Sequence, residues 1–273
     1  MKQNTFLRGW VLILLVFSLF VNAMANYLPI GGKTTGEISN QFDIFFVPAA
    51  YVFSIWGLIY VALTAFAIYQ TFSLHAHKSR LENMQMIRMW FILGAVANST
   101  WIFLWHLGYP VASVVPMIVL LVSLVMAYAE IERRVKKFTR ADWWLVHAPF
   151  SLYLGWISVA TIANISVALY VLGWSHCGVG PETWAAMMMV VAAIVAGLMA
   201  YKHHDAIFVA VVMWAIIGIR AKFPGVYIIS STAELTVIAL MAFLLVALVG
   251  WQHKMSVGAP AKSIRKPRKR RKK

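Results

Sequence analysis

The sequence predicts an all-α fold, a polytopic membrane bundle of about eight transmembrane helices. Of its 273 residues, 62% are hydrophobic and only 12% are charged, whereas a soluble globular protein is about half apolar and a quarter charged. The apolar residues also gather in stretches close to the ~20 residues that a helix needs to cross a bilayer. A water-soluble enzyme is therefore excluded.

Eight apolar segments account for most of the chain. They lie at 9–28, 47–70, 88–106, 110–129, 144–172, 184–201, 206–220 and 227–250. Each is expected to be a helix because a strand exposed to lipid would leave its backbone groups unpaired. The first segment also fits a cleavable signal peptide, with basic residues, an apolar stretch and small residues at 23–25 in that order.

Basic residues lie mostly on one side of these segments. With the N-terminus inside, 21 of the 24 Lys and Arg fall on the inner side, and only Lys33, Arg220 and Lys222 fall outside. This asymmetry follows the positive-inside rule, and it predicts a multi-pass protein of the lipid bilayer with both termini in the cytoplasm. The basic tail at 259–273 is too charged to pack, so we expect it to be disordered and to bind anionic lipid headgroups. Because the tail carries most of the basic character, no nucleic-acid partner is expected.

Eleven of the twelve tryptophans fall into two groups. Seven of the twelve lie near predicted span ends, where indole rings favour the headgroup layer: Trp10, Trp90, Trp143, Trp144, Trp174, Trp184 and Trp251. Trp56, Trp101, Trp156 and Trp214 lie deeper and require another role.

Two deep amides share helix faces with two of these indoles. Asn98 and Asn164 both lie roughly 12 Å below the outer face, at 1.5 Å per residue. Their neighbours on the same faces or in the same layer are Trp56, Tyr60, Trp101, Trp156 and Thr161. One interpretation is an indole-walled pocket in which the amides orient a ligand. The alternative is that the amides bond to each other or to backbone and hold helices together.

Other polar residues suggest structural roles. Glu234 and Arg220 could form an ion pair across the last helix hairpin, or Glu234 could couple proton or ion movement. Asp205 can cap the seventh helix. The single Cys177 excludes both an internal disulfide and a cysteine-rich metal site. No carboxylate cluster is expected beside the eight histidines, so no metal site is predicted. The outer segment 29–46 either folds over the mouth of the bundle or is a plain connector.

Three motifs resemble the TspO/MBR family, the tryptophan-rich sensory proteins related to the translocator protein (peripheral benzodiazepine receptor). Residues 45–60, FFVPAAYVFSIWGLIY, are similar to the family's F-x-P-P-x-W-V-F-G-x-x-W-x-x-L-Y run, with Pro48, Phe53, Trp56 and Tyr60 in matching places. Residues 98–101 resemble its L-N-x-x-W motif, and residues 156–164 resemble W-x-x-F-A-T-x-L-N. Two departures are Ala49, where a second proline is usual, and the spacing of three residues between Phe53 and Trp56, where the family motif has four.

The resemblance implies a division of the chain. Residues 1–172 would form the family's five-helix bundle, which requires the first helix to be retained. Residues 173–252 would add three helices, as in longer bacterial members, and 253–273 would be the cytoplasmic tail. It also implies the bacterial inner (plasma) membrane and a homodimer.

For function, the resemblance implies a ligand-binding sensor or regulator. Its ligand would be an apolar small molecule, such as the tetrapyrroles protoporphyrin and haem, and no cofactor would be required. The site residues would be Pro48, Phe53, Trp56, Tyr60, Asn98, Trp101, Trp156, Thr161 and Asn164. Alternatives are a small-molecule transporter and light-dependent porphyrin breakdown, although no residue pattern argues for catalysis.

Overall fold

Long helices make up nearly all of the structure, a computed structural model that describes residues 2–28, 30–72, 84–134 and 139–257. The described residues contain no strand, which confirms the all-α prediction. The basic tail at 259–273, which is expected to be disordered and to bind lipid headgroups, lies outside the described residues.

Eight helices of this part of the chain correspond in order to the eight predicted segments. They are α1 (Lys2–Tyr27), α2 (Ile55–Phe72), α3 (Gln85–His106), α4 (Pro110–Glu132), α5 (Arg140–Val171), α6 (Pro181–His203), α7 (Ala206–Lys222) and α8 (Tyr227–Val257). All except α7 are long and apolar enough to cross a membrane. The protein is therefore a multi-pass membrane protein.

The short helix α7 also crosses the bundle. Its 17 residues span about 25 Å, slightly less than the ~30 Å hydrocarbon core. At one end Asp205 accepts a hydrogen bond from Tyr128 near the end of α4. At the other end Gly218 accepts one from Ala49, just before α2. Because α4 ends and α2 begins at opposite faces, α7 reaches from one face to the other.

Local sequence signals set several helix boundaries. Proline occupies the first position of α4 and of α6, where its missing N–H is not needed. Thr139 starts α5 through a reciprocal capping box with Asp142. Asp205 caps α7 by accepting from the backbone N–H of Phe208 at 3.1 Å, which confirms the predicted cap. Between α6 and α7, His204 adopts a left-handed conformation (φ 56°) that ends α6.

Small residues bring the last three helices close to their neighbours. The buried face of α6 includes six alanines and Gly197, which packs against the ring of Phe243 in α8. On α5, Gly155 faces Val211 of α7, where an added Cβ would lie 3.1 Å from the Val211 Cβ. Such small-residue contacts let membrane helices approach closely. Through α7, the last three helices are joined to the first five.

The segment between α1 and α2 is a structured outer loop (residues 30–54), and we call the face that carries it the outer face. It contains a short helix, Thr35–Ser39, which Thr34 starts through a capping box with Glu37. His106, at the end of α3, contacts the loop twice, with Nδ1 3.1 Å from the Ile30 oxygen and Nε2 3.0 Å from the Thr35 hydroxyl. The loop therefore lies over the mouth of the bundle.

Candidate functional site

A small cavity lies directly beneath the outer loop. Its roof is formed by Ile44, Val47, Pro48 and Phe53 of the loop. Its walls are Trp56 of α2, Trp101 and Trp105 of α3, and Trp156 and Asn164 of α5, with smaller α5 residues between them. The cavity volume is about 40 Å³, whereas pockets for drug-sized ligands have roughly 300–1,000 Å³. The structure therefore shows a closed state with room for a few waters.

The indoles of this cavity pack on one another. Trp101 stacks between Trp56 and Trp105, with ring centroids 6.2 and 5.7 Å apart and interplanar angles of 25° and 22°. Trp156 meets Trp56 edge to face at 6.2 Å and Phe53 at 5.8 Å. The indoles of Trp56, Trp101 and Trp156, which the helical spacing placed in one layer, thus lie together around Trp56. Trp105 was missed, although its spacing of four from Trp101 places it on the same helix face.

Asn164 holds this aromatic wall in place. Its Oδ1 accepts a hydrogen bond from Trp101 Nε1 at 3.0 Å, and its Nδ2 donates to Ser113 Oγ at 3.0 Å and to the Pro110 carbonyl at 3.4 Å. The amide joins α3, α4 and α5. Its hydrogen-bonding capacity is used by the protein, so it positions Trp101 in this closed state.

Trp156 differs from Asn164 in its hydrogen bonding. Its side chain is only 3% exposed, and among the described residues its Nε1–H has no acceptor. A buried donor without a partner costs about 1–3 kcal/mol. An oxygen of a bound ligand, or a water, would remove that cost.

The remaining predicted site residues lie elsewhere. Tyr60 and Asn98 line a second, smaller cavity of about 20 Å³, to which each of the helices α1 to α5 contributes side chains. Asn98 Nδ2 donates to the Tyr60 hydroxyl at 3.1 Å, and its Oδ1 has no donor among the described residues. Thr161 is buried and donates to the Ile157 carbonyl within its own helix. Asn98 and Asn164 do not bond to each other, so each amide joins helices through other partners.

A polar cluster near the inner face was missed from the sequence. Asp205 accepts from the Tyr128 hydroxyl at 2.7 Å and from Ser151 Oγ at 2.6 Å. Glu132 lies between His147 and His203, 3.1 Å from each. This contact was not predicted, because α4, α5 and α6 bring together positions that are far apart in the sequence. Within the described ranges, no group of three or more His, Cys, Asp or Glu is arranged to hold a metal ion.

Arg220 and Glu234 form an ion pair between α7 and α8. The Arg220 Nε and Nη2 atoms lie 3.0 and 2.5 Å from Glu234 Oε1. The two side chains are 51% and 54% exposed, so the pair faces the surroundings of the bundle and not its interior.

A comparison with protein families finds a match. The family model of TSPO-like proteins matches residues 8–250. The match includes all eight helices, whereas the motifs described above lie on the first five. Comparisons with curated proteins and with solved structures gave no match. Because the family model covers most of the sequence, the chain belongs to the TSPO-like protein family.

Proposed function

We propose that the protein is a ligand-binding membrane sensor or regulator whose indole-walled cavity receives a planar apolar molecule of the tetrapyrrole class. The observation that carries the proposal is the buried, unpartnered Nε1–H of Trp156 in the cavity wall. Stacked indoles offer flat apolar surface to a planar ring, and one free donor suits a carboxylate or carbonyl oxygen of the ligand. Family membership supports the same assignment.

The cavity must enlarge to admit such a ligand. Its helical walls are held by the Asn164 hydrogen bonds and by the stacked indoles. The roof belongs to a loop, and loops are the segments that most often move in ligand binding. Binding is therefore coupled to displacement of the outer loop, which provides a signal at the outer face.

A titration of the purified protein with protoporphyrin, followed by tryptophan fluorescence in the dark, tests this function. We expect saturable quenching, because the ligand would lie against several indoles. Trp156→Phe should weaken binding by about 2- to 13-fold, the equivalent of one hydrogen bond of roughly 0.5–1.5 kcal/mol. Trp144→Phe is the matched control, because Trp144 is 59% exposed at the inner end of α5 and remote from the cavity. Absence of saturable quenching would refute the proposal.

The same preparation separates the two alternatives. Porphyrin breakdown that occurs under light and not in the dark would indicate the enzymatic alternative. Counterflow in liposomes would indicate transport, and loss of counterflow in Glu234→Gln would assign a coupling role to the ion pair. The half-exposed, mutually satisfied pair gives this coupling role no specific support.

We further infer that both termini are cytoplasmic, in the inner membrane of a bacterium. Ser18 of α1 contacts Ser99 of α3, and Leu15 lies near Phe91, so α1 and α3 run in the same direction. Near the end of α8, Trp251 packs on Trp143 at the start of α5. Both ends of the described chain thus lie at the face opposite the outer loop, the face to which the basic residues assign the cytoplasm.

A further inference from the structure

The roof of the cavity is covered by a helix from the C-terminal part of the chain. The roof segment (residues 44–54) turns one side toward the indoles, with Pro48 and Phe53 lining the cavity. Its other side contacts α7. Residues more than 150 positions apart in the sequence therefore meet directly above the proposed ligand site.

Backbone hydrogen bonding fixes this contact. The N–H of Ala49 donates to the carbonyl of Gly218 at 3.0 Å. Gly218 has no side chain at this point, and the close approach requires that, because a Cβ would overlap Cγ2 of Val52 and lie 3.1 Å from Cβ of Pro48. The backbones of α7 and the roof segment thus touch directly.

Aromatic contacts extend the attachment on both sides of Gly218. One helical turn earlier, Trp214 Nε1 donates to the Val52 carbonyl at 3.4 Å, and its ring meets that of Tyr51 edge to face at 5.3 Å. Beyond the end of α7, the Phe223 ring lies 5.0 Å from that of Phe45. The attachment therefore runs along almost the whole roof segment.

A polar contact holds the other half of the outer loop. Lys222 Nζ donates to Asn40 Oδ1 at 2.5 Å, immediately after the short helix Thr35–Ser39. α7 is thus bonded to the outer loop at two separate places, before and within the roof segment.

We propose that α7 is a clamp that keeps the outer loop closed, so that a ligand enters only when α7 and the roof segment separate. The proposal concerns regulation of the site and rests on the proposed function. The cavity of about 40 Å³ must enlarge, and its roof is the wall that α7 holds. This assigns a role to α6–α8: they control access to the site formed by the first five helices.

Hydrogen–deuterium exchange of the full-length protein in nanodiscs, without ligand, tests the clamp itself. Ala49 is a direct reporter, because its amide is the donor to Gly218. In Gly218→Ala the overlap with Val52 should raise exchange of the roof amides about tenfold or more. Trp214→Phe keeps the ring near Tyr51 and removes the bond to Val52, so we expect about fivefold faster exchange. Gly225→Ala is the matched control, because no atom of the described residues lies within 4 Å of its added Cβ.

The outcomes separate the clamp from the ligand site. If the roof amides of folded variants exchange as slowly as in Gly225→Ala, the clamp is overturned. Trp214→Phe decides the question alone should Gly218→Ala fail to fold. In a second experiment, stopped-flow mixing with protoporphyrin should show faster association in both clamp variants, and equal rates despite a loosened roof would overturn the control of access. If protoporphyrin binds no variant, the proposed function fails, while the exchange result still tests the attachment of the roof.

Discussion

The hydrogen bonds of Asn164 can be removed by leucine, which has a similar volume and no polar atom. The substitution takes away the acceptor of Trp101 Nε1 and the donor to Ser113 Oγ. Three helices lose a shared contact, while the packing of α5 changes little. We therefore expect Asn164→Leu to lower stability and to release the orientation of the Trp101 ring.

The size of this effect follows from the burial of the groups left behind. Trp101 is 5% exposed, so its Nε1–H would lose its partner in an apolar interior, at a cost of about 1–3 kcal/mol. Hydrogen bonds between membrane helices contribute less on average, about 0.6 and at most about 1.7 kcal/mol. A decrease of about 1–1.7 kcal/mol in the free energy of unfolding lies within both ranges.

Unfolding in detergent, followed by circular dichroism and by tryptophan emission, measures both effects. Asn26→Leu is the control, because Asn26 is exposed and, within the part of the chain that the structure describes, its amide bonds only to the Asn22 carbonyl of its own helix. Its stability should stay within about 0.5 kcal/mol of the parent protein. If Asn164→Leu is as stable as Asn26→Leu and its emission is unchanged, the amide does not hold the aromatic wall.

Three further predictions use other contacts. Asp205→Ala should lower the free energy of unfolding by about 2–4 kcal/mol, because it leaves Tyr128 and Ser151 without an acceptor and α7 without a cap. Ser151→Ala should lower it by only about 1 kcal/mol, and equal effects of the two substitutions in denaturant unfolding would contradict this. Gly197→Ala should destabilise the protein by about 1–3 kcal/mol, because its Cβ would lie 2.8 Å from the Phe243 ring. Gly57→Ala, whose Cβ would have no described neighbour within 4 Å, should be neutral or stabilising by up to about 1 kcal/mol. If Gly57→Ala proved the less stable of the two in thermal unfolding, the close packing of Gly197 against Phe243 would be refuted. The backbone and hydroxyl of Thr34 donate to the Glu37 carboxylate and hold its pKa below the usual 4.5, so protection of the Thr34 amide should be present above pH 4.5 and be lost as the pH falls through that lowered pKa; Glu37→Gln should show no such pH dependence in hydrogen exchange.

The helices were predictable because a membrane span needs a long apolar run, and eight such runs stand out in the sequence. Helical periodicity was equally informative within one helix. It placed Asn98 one turn from Trp101, and it would have added Trp105 to the same face. These inferences depend only on spacing along a single helix.

Contacts between helices were not predictable in this way. Asn98 and Trp101 share a face, but Asn98 lines the smaller cavity with Tyr60 and Trp101 lines the larger one, because the rotation of α3 against α1 and α5 decides which neighbour each meets. Glu132 contacts His203 across 71 positions of sequence. No local pattern encodes that separation, so the inner polar cluster became visible only in the folded chain.

The acceptor role of Asp205 has a consequence for biogenesis. This carboxylate is 1% exposed, and a charged group placed in the membrane without partners is costly. Tyr128 and Ser151, which donate to it, precede it in the chain and leave the ribosome first. A partly synthesised protein that has already assembled α4 and α5 offers α7 a prepared docking place, whereas α7 alone is short and carries an acid at its start. Insertion of the seventh helix is therefore expected to depend on earlier helices, and truncation or disruption of α4 should leave α7 outside the bilayer even though its own sequence is intact.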